Sequence, residues 1–134
     1  SGDLLPFQAG IDEGTDIVLV SHNIVSCMDP DYPASLSPTV HALLRNTIGF
    51  DGVIMTDDLV MSAITEYTDG KSAAVQAVIA GNDLLCCTDY AVQVPAVIEA
   101  VKSGVISEER INESAKRIIQ MKLDLGIIQP EPAQ

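Results

Sequence analysis

Short apolar runs, each introduced by a glycine turn and closed by polar residues, recur along this chain. Gly14-Thr15-Asp16 leads into Ile17-Val18-Leu19-Val20, and Gly49-Phe50-Asp51 leads into Gly52-Val53-Ile54-Met55. Gly81-Asn82-Asp83 leads into Leu84-Leu85-Cys86-Cys87. Runs without polar alternation suit strands buried on both faces, as in parallel sheets. The turns start 35 and 32 residues apart, room for a strand, a loop, a helix and a return. The pattern predicts three βα units in register. Each run ends in polar residues: Ser21-His22-Asn23, Thr56-Asp57-Asp58 and Thr88-Asp89.

Helical periodicity fills the intervals. Pro6 to Glu13 reads as a short helix stopped by Gly14, with Leu5 and Ile11 on its apolar side. Ser37 is a good N-cap, Pro38 suits the first helical position, and Val40, Leu43, Leu44 and Ile48 recur at helical spacing until Gly49. His41 falls on the polar side of that pattern and is expected at the surface. Lys71 to Ala80 is a third helix, with Gly81 at its C′ position. Val92 to Lys102 presents Val94, Val97, Ile98 and Val101 on one face, with Pro95 expected in the first turn. The last helix starts at Ser107, places Glu108 and Glu109 at its positive end, and turns Ile111, Ala115, Ile118, Ile119 and Leu123 inward. Residues 1–128 form one unit and 129–134 a frayed tail. Two long loops, Ser21 to Leu36 and Asp58 to Gly70, leave strand C-terminal ends and would roof one site.

Composition narrows the chemistry. Among 134 residues, 47% are hydrophobic and 4% aromatic, so the core must be built from Val, Ile, Leu and Ala. The net charge of -12, with seven scattered Lys and Arg, argues against nucleic-acid binding. Three cysteines are too few for a disulfide scaffold. Cys86 and Cys87, inside an apolar run, are expected to be buried free thiols. His22 and His41 stand alone, without metal-ligand spacing, and no cofactor is implied. No targeting segment is recognisable, and no apolar run approaches the ~18 residues of a membrane span.

The chemistry concentrates at Thr56-Asp57-Asp58. An acid at the C-terminal end of a parallel strand can cap the following helix, or it can face the ligand edge of the fold as a nucleophile or charge stabiliser. Neighbouring strand residues point to opposite faces, so only one of the two acids can face a pocket. Spacing alone leaves both readings open.

Gly49-Phe50-Asp51-Gly52-Val53-Ile54-Met55-Thr56-Asp57-Asp58-Leu59-Val60-Met61-Ser62-Ala63-Ile64 resembles the nucleophile segment of glycoside hydrolase family 3, in its β-N-acetylhexosaminidase branch. Three other stretches are similar to the same family: Leu4-Leu5-Pro6-Phe7 with Ile11-Asp12, Asp16 to His22 with Pro33 to Ser37, and Ile111 to Ile119. The resemblance implies an α/β fold, the last three βα units of a TIM (β/α)₈ barrel. It implies a retaining exo-β-N-acetylglucosaminidase acting on terminal N-acetylhexosamine, such as peptidoglycan fragments, with Asp57 as the nucleophile. Asp58 would support the loop. Met61 matches a position beside the sugar pocket, or is loop core. His22 matches a histidine near the bound sugar, or is a buried, hydrogen-bonded structural residue.

The family's acid/base histidine, on a Gly-rich loop after the fifth strand, has no counterpart before Leu4. The chain alone is therefore expected to be inactive, and its open sheet edges to close by self-association or under helices on both faces. Neighbouring activities, β-glucosidase or phosphorylase, remain open, as does a cytoplasmic or a secreted, cell-envelope location in a bacterium. The competing reading is a small non-catalytic α/β interaction domain in which Asp57 caps a helix.

Overall fold

Two parallel strands, β1 (Ile17–Val20) and β2 (Val53–Thr56), pair with Ile17 opposite Val53 and Val20 opposite Thr56. The computed structural model describes residues 2–68 and 72–129. Around the strands lie α1 (Leu5–Asp12), α2 (Pro38–Ala42), α3 (Ser62–Thr65), α4 (Ala73–Ala80), α5 (Tyr90–Lys102) and α6 (Glu108–Asp124).

The third βα unit is present but its strand is not. Leu84 forms a single parallel bridge to Met55. The segment then leaves the ladder because the Thr56 side chain takes the place of a backbone acceptor: the Cys86 amide donates to Thr56 Oγ1 at 3.0 Å. Next, the Leu59 amide donates to the Cys86 carbonyl at 3.1 Å, so the segment tracks the loop after β2. A side-chain acceptor ends the strand that the apolar run predicted. The same divergence leaves Cys86 exposed and Cys87 half-buried, so these thiols are not the core residues expected; Cys27 is also exposed.

One sheet face carries the core. Val20 and Ile54 pack with Ala34, Val40, Leu44, Ile48 and Phe50, and Leu4, Ile11 and Val18 press against this cluster. Leu5, expected on the apolar side of α1, is 69% exposed, because Leu4 one position earlier makes that contact. On the opposite face, Ile17 and Leu19 of β1 stay exposed, while their β2 neighbours are covered, Val53 fully and Met55 in part.

Capping follows the sequence closely at two helices. The Val40 amide donates to Ser37 Oγ at 3.2 Å, and the Arg110 amide donates to Ser107 Oγ at 3.2 Å. After Ala42 the helix widens into a π turn, Leu43–Thr47. From it Arg45 donates to the carbonyls of Phe50 at 2.7 Å and Gly52 at 2.6 Å, fixing the approach to β2. A Cβ at Gly52 would lie 2.6 Å from the Asp16 carbonyl oxygen and 2.6 Å from the Phe50 ring, which explains the glycine there.

His41 is buried, at 3% exposure, and not at the surface. Helix α2 is covered on two sides: Val40 meets the sheet, while His41 meets the end of α4 at Gly81. A one-sided amphipathic pattern cannot reveal a second covered side. His41 Nδ1 donates to the Ser37 carbonyl at 2.8 Å.

Helix α5 starts at Tyr90, earlier than expected, because the Asp89 carbonyl accepts from both Val92 and Gln93 at 3.1 Å. Pro95 therefore lies in the second turn. Val94 and Ile98 are exposed and Val97 and Val101 half-buried, while Gln93 and Ala100 are the buried residues. Helix α6 follows expectation only in part. Ala115 and Ile119 are exposed; Ile111, Ile118 and Leu123 are half-buried, Ile111 against Val78, Ala100 and Ile106, and the residue the helix buries fully is Ser114.

The polar side of α6 has a specific target. Asp83, its side chain fully buried, receives Ser114 Oγ at 2.6 Å, Arg117 Nη1 at 3.1 Å, the Ile54 amide at 3.0 Å and Arg45 Nη2 at 2.5 Å. Arg110 Nη1 stands 3.5 Å away. Burial pushes the Asp83 carboxyl up, but the Ser114 hydroxyl, the Ile54 amide and the Arg45 and Arg117 guanidinium groups together hold it below its ordinary value. This knot pins α6 and the π turn to the start of the third segment. Lys71, Gly70 and residues 130–134, which carry the expected helix start, loop end and tail, lie outside the described residues.

Candidate active site

Asp57 extends the β2 ladder by one residue, its amide donating to the Val20 carbonyl at 3.3 Å. Strand alternation therefore places it on the same face as Met55 and opposite to that of Thr56. In the paired register, Met55 lies opposite Leu19 and Val53 opposite Ile17. Asp57 thus closes the C-terminal end of the face that carries Leu19 and Met55, half-buried, with Oδ1 accepting from the Asp58 amide at 2.8 Å.

Asp58 turns the other way and is used up in holding loops. Its Oδ1 accepts from the Thr88 amide at 3.2 Å and from the Val60 amide at 3.2 Å, and its Oδ2 accepts from the Thr88 hydroxyl. The Thr88 hydroxyl, followed by the Thr88 amide, holds the Asp58 carboxyl below its ordinary value. So the two acids divide: one is tied to three donors, while the other faces the open edge.

His22 is 7% exposed, and both of its ring nitrogens have protein partners. Nδ1 lies 2.7 Å from Ser35 Oγ and Nε2 lies 2.9 Å from the Asp58 carbonyl oxygen. The ring thereby ties the loop after β1 to the loop after β2. Met61, 44% exposed, sits one residue before α3 on that second loop.

The loop after β1 has its own organiser. Asp29 Oδ1 accepts from the amides of Asp31 at 3.0 Å and Tyr32 at 3.2 Å, and Oδ2 accepts from Ser37 Oγ at 2.5 Å. The Ser37 hydroxyl and those amides hold the Asp29 carboxyl below its ordinary value. A single turn of 3₁₀ helix, Ala34–Leu36, then brings Ser35 under His22.

Asp57, Asp58, His22 and Met61 therefore collect at one end of the sheet, as the strand endings implied. Ser35 and Thr88 join them. Ser35 carried no chemical signal in the sequence, and Thr88 only its position at the end of the third run. Among the described residues, no group of His, Cys, Asp and Glu is arranged to hold a metal ion, and no helix is long and apolar enough to cross a membrane.

The profile of the Glycosyl hydrolase family 3 N terminal domain matches residues 1–121. The chain belongs to glycosyl hydrolase family 3. It is 39% identical over 88 residues to a beta-hexosaminidase of Nitrosomonas eutropha, a match covering 65% of this chain and 25% of that protein. An uncharacterized secreted glycosyl hydrolase of Arthroderma benhamiae is 30% identical over 122 residues, covering 87% of this chain and 35% of the relative. Among solved structures, a glycoside hydrolase family 3 beta-N-acetylglucosaminidase from Paenibacillus sp. str. FPU-7 superposes with a TM-score of 0.88 at 37% identity. That superposition covers 98% of this chain and 26% of the Paenibacillus protein. The chain thus spans between about a quarter and a third of the length of these relatives. Its α/β architecture is of the TIM-barrel type found in this family's N-terminal domain.

Proposed function

We propose that this chain forms the nucleophile-bearing part, the last three βα units, of a retaining exo-β-N-acetylglucosaminidase. Asp57 attacks the anomeric carbon of a terminal N-acetylhexosamine as the glycosidic C1–O bond breaks and the departing oxygen takes a proton from the general acid; water deprotonated by the same group then attacks C1 of the resulting glycosyl-enzyme ester and frees the Asp57 carboxylate. The observation that carries this reading is the division of labour between the two acids. Asp57 stands half-buried at the C-terminal end of β2 and accepts from the neighbouring Asp58 amide, whereas Asp58 is bound by Thr88 and Val60 from other positions. The names of the similar proteins, a beta-hexosaminidase and a beta-N-acetylglucosaminidase, support the sugar class. Peptidoglycan fragments are a fitting substrate.

Met61, exposed on the loop beside Asp57, flanks the sugar, and His22 contributes to the same site from beneath the loop. The general acid/base is supplied by chain beyond these residues. Its absence here lowers the rate by ~10²–10⁴-fold and leaves the isolated chain without useful turnover. Separately, the exposed Ile17 and Leu19 side chains on one face of β1 favour self-association of the isolated chain.

The test is turnover of 4-nitrophenyl N-acetyl-β-D-glucosaminide by this chain alone and by the complete barrel, each as wild type and Asp57→Ala. The proposal expects turnover only from the wild-type complete barrel, and a fluorosugar-trapped ester on the peptide bearing Asp57. An Asp57→Ala barrel that keeps its rate would sink the nucleophile assignment. A rate that depends on added phosphate would identify a phosphorylase. Light scattering of the chain alone, with and without Leu19→Lys, tests self-association: a monomer in both cases would refute it.

A further inference from the structure

We propose that Ser35 is a positioning residue for Asp57, acting through the tautomer and orientation of His22. This rests on the reading of Asp57 as nucleophile. The Asp58 carbonyl oxygen can only accept, so the His22 Nε2 that lies 2.9 Å from it carries a proton. In the neutral ring Nδ1 is then an acceptor, and the fully buried Ser35 hydroxyl, 2.7 Å away, is its donor. Ser35 is 0% and His22 7% exposed, so the pair is shielded from bulk solvent. Without the Ser35 hydroxyl, the ring keeps an orphaned nitrogen and loses the bond that sets its plane.

The hydroxyl is itself held from two directions. The Ser35 amide donates to the Ser21 carbonyl at 3.1 Å, which ties it to the end of β1. The Ser35 carbonyl accepts from Asn82 Nδ2 at 2.7 Å, and Asn82 also donates to the Ala77 carbonyl at 2.8 Å, which ties it to the end of α4. A continuous line of hydrogen bonds thus runs from Asn82 through Ser35 and His22 to the Asp58 carbonyl. The Asp58 carbonyl also accepts from the Met61 amide at 3.1 Å, and one peptide unit earlier the Asp58 amide donates to Asp57 Oδ1. Three chain segments meet in this line, and its far end is the backbone that aims the nucleophile. The two peptide units meet at the Asp58 Cα, so a backbone rotation that releases the carbonyl also shifts the amide that holds the Asp57 carboxylate, and misplacement of a reacting group by about 1 Å can cost ~10²-fold.

The experiment combines ring ¹⁵N NMR and amide hydrogen exchange on this chain with kinetics of the complete barrel. At mildly alkaline pH, wild-type His22 should show a protonated Nε2 and a hydrogen-bonded acceptor Nδ1. Ser35→Ala should shift the Nδ1 resonance toward the free-acceptor value and speed exchange of the Asp58 and Leu59 amides. In the complete barrel it should lower kcat by ~10- to 100-fold with KM changed less than about twofold, and Ser35→Thr should restore most of it. A wild-type ring protonated on Nδ1 overturns the proposal even if Ser35→Ala does not fold. Unchanged exchange or unchanged kcat in Ser35→Ala also overturns it. If Asp57→Ala retains activity while the NMR results hold, the reading of Asp57 has failed and the loop-holding role of Ser35 stands.

Discussion

Arg45 Nη2 and Asp83 Oδ2 lie 2.5 Å apart, joining the π turn before β2 to the start of the segment after α4. Arg117 and Ser114 reach the other carboxylate oxygen from α6. One buried carboxylate thus organises the N-terminal end of the sheet, opposite to the end that carries Asp57. Removing one partner of a buried pair leaves the remaining charges uncompensated, which typically costs ~3–5 kcal/mol. Asp83→Ala should lower stability to urea by about that amount. Because the Asp83 carboxyl is held below its ordinary value when folded, its contribution is present above the unfolded carboxylate pKa of ~3.9 and is lost as pH falls further. Acid unfolding of Asp83→Ala should therefore be flatter below about pH 4 than that of wild type.

His41 titrates in the opposite sense to a salt-bridged histidine. Burial, the largest influence, pushes its pKa down; the Ser37 carbonyl and the Asn82 side chain favour the charged ring, and nearby Arg45 and Arg110 oppose it. The unfolded chain therefore takes up a proton near the ordinary value of ~6.5 while the folded chain does not. Stability should fall as pH drops from about 7 to about 5, by at most ~1.4 kcal/mol per unit, and His41→Gln should remove that slope. Urea midpoints at several pH values measure this directly. A wild-type midpoint that is flat over this range would refute it.

Gly81 ends α4 with φ of +126°, and a Cβ there would lie 2.9 Å from His41 Cβ. Gly81→Ala combines a backbone conformation that side chains resist with a clash against a buried ring. A loss of ~1–3 kcal/mol is expected from the backbone alone, read as a lower thermal midpoint.

Thiol labelling distinguishes the observed third segment from a regular buried strand. Cys27 and Cys86 are exposed, whereas Cys87 is half-buried and burial, with Asp58 and Asp89 adding to it, pushes its thiol pKa up. Native protein should show two fast-reacting thiols and one slow one with a maleimide. One fast thiol would mean that Cys86 is sheltered as in a continuous strand.

Much of this was legible from local pattern because local rules govern it. Apolar runs set β1 and β2, Ser37 and Ser107 are caps that act on amides three residues away, and the acids after Thr56 mark the end of a strand. Misreadings arose wherever a distant partner decided the outcome. Leu84 to Cys87 looked like a strand, yet the Thr56 hydroxyl ended it. Helix α6 looked apolar toward the core, yet Asp83 drew its Arg and Ser face inward. His41 looked exposed until α4 covered a second side of its helix.

The same boundary runs through the site. Sequence by itself determined that two adjacent acids stand at the end of a parallel strand, since run length, flanking glycine and alternation are properties of a few consecutive residues. Only tertiary structure decided which acid is tied to a distant segment and which is held by its neighbour's amide. That choice depends on Thr88, thirty residues beyond Asp58, and on His22 and Ser35 in a different loop. Hydrogen bonds between segments distant in sequence leave no periodic trace, so their effect appears only when folding brings the segments together.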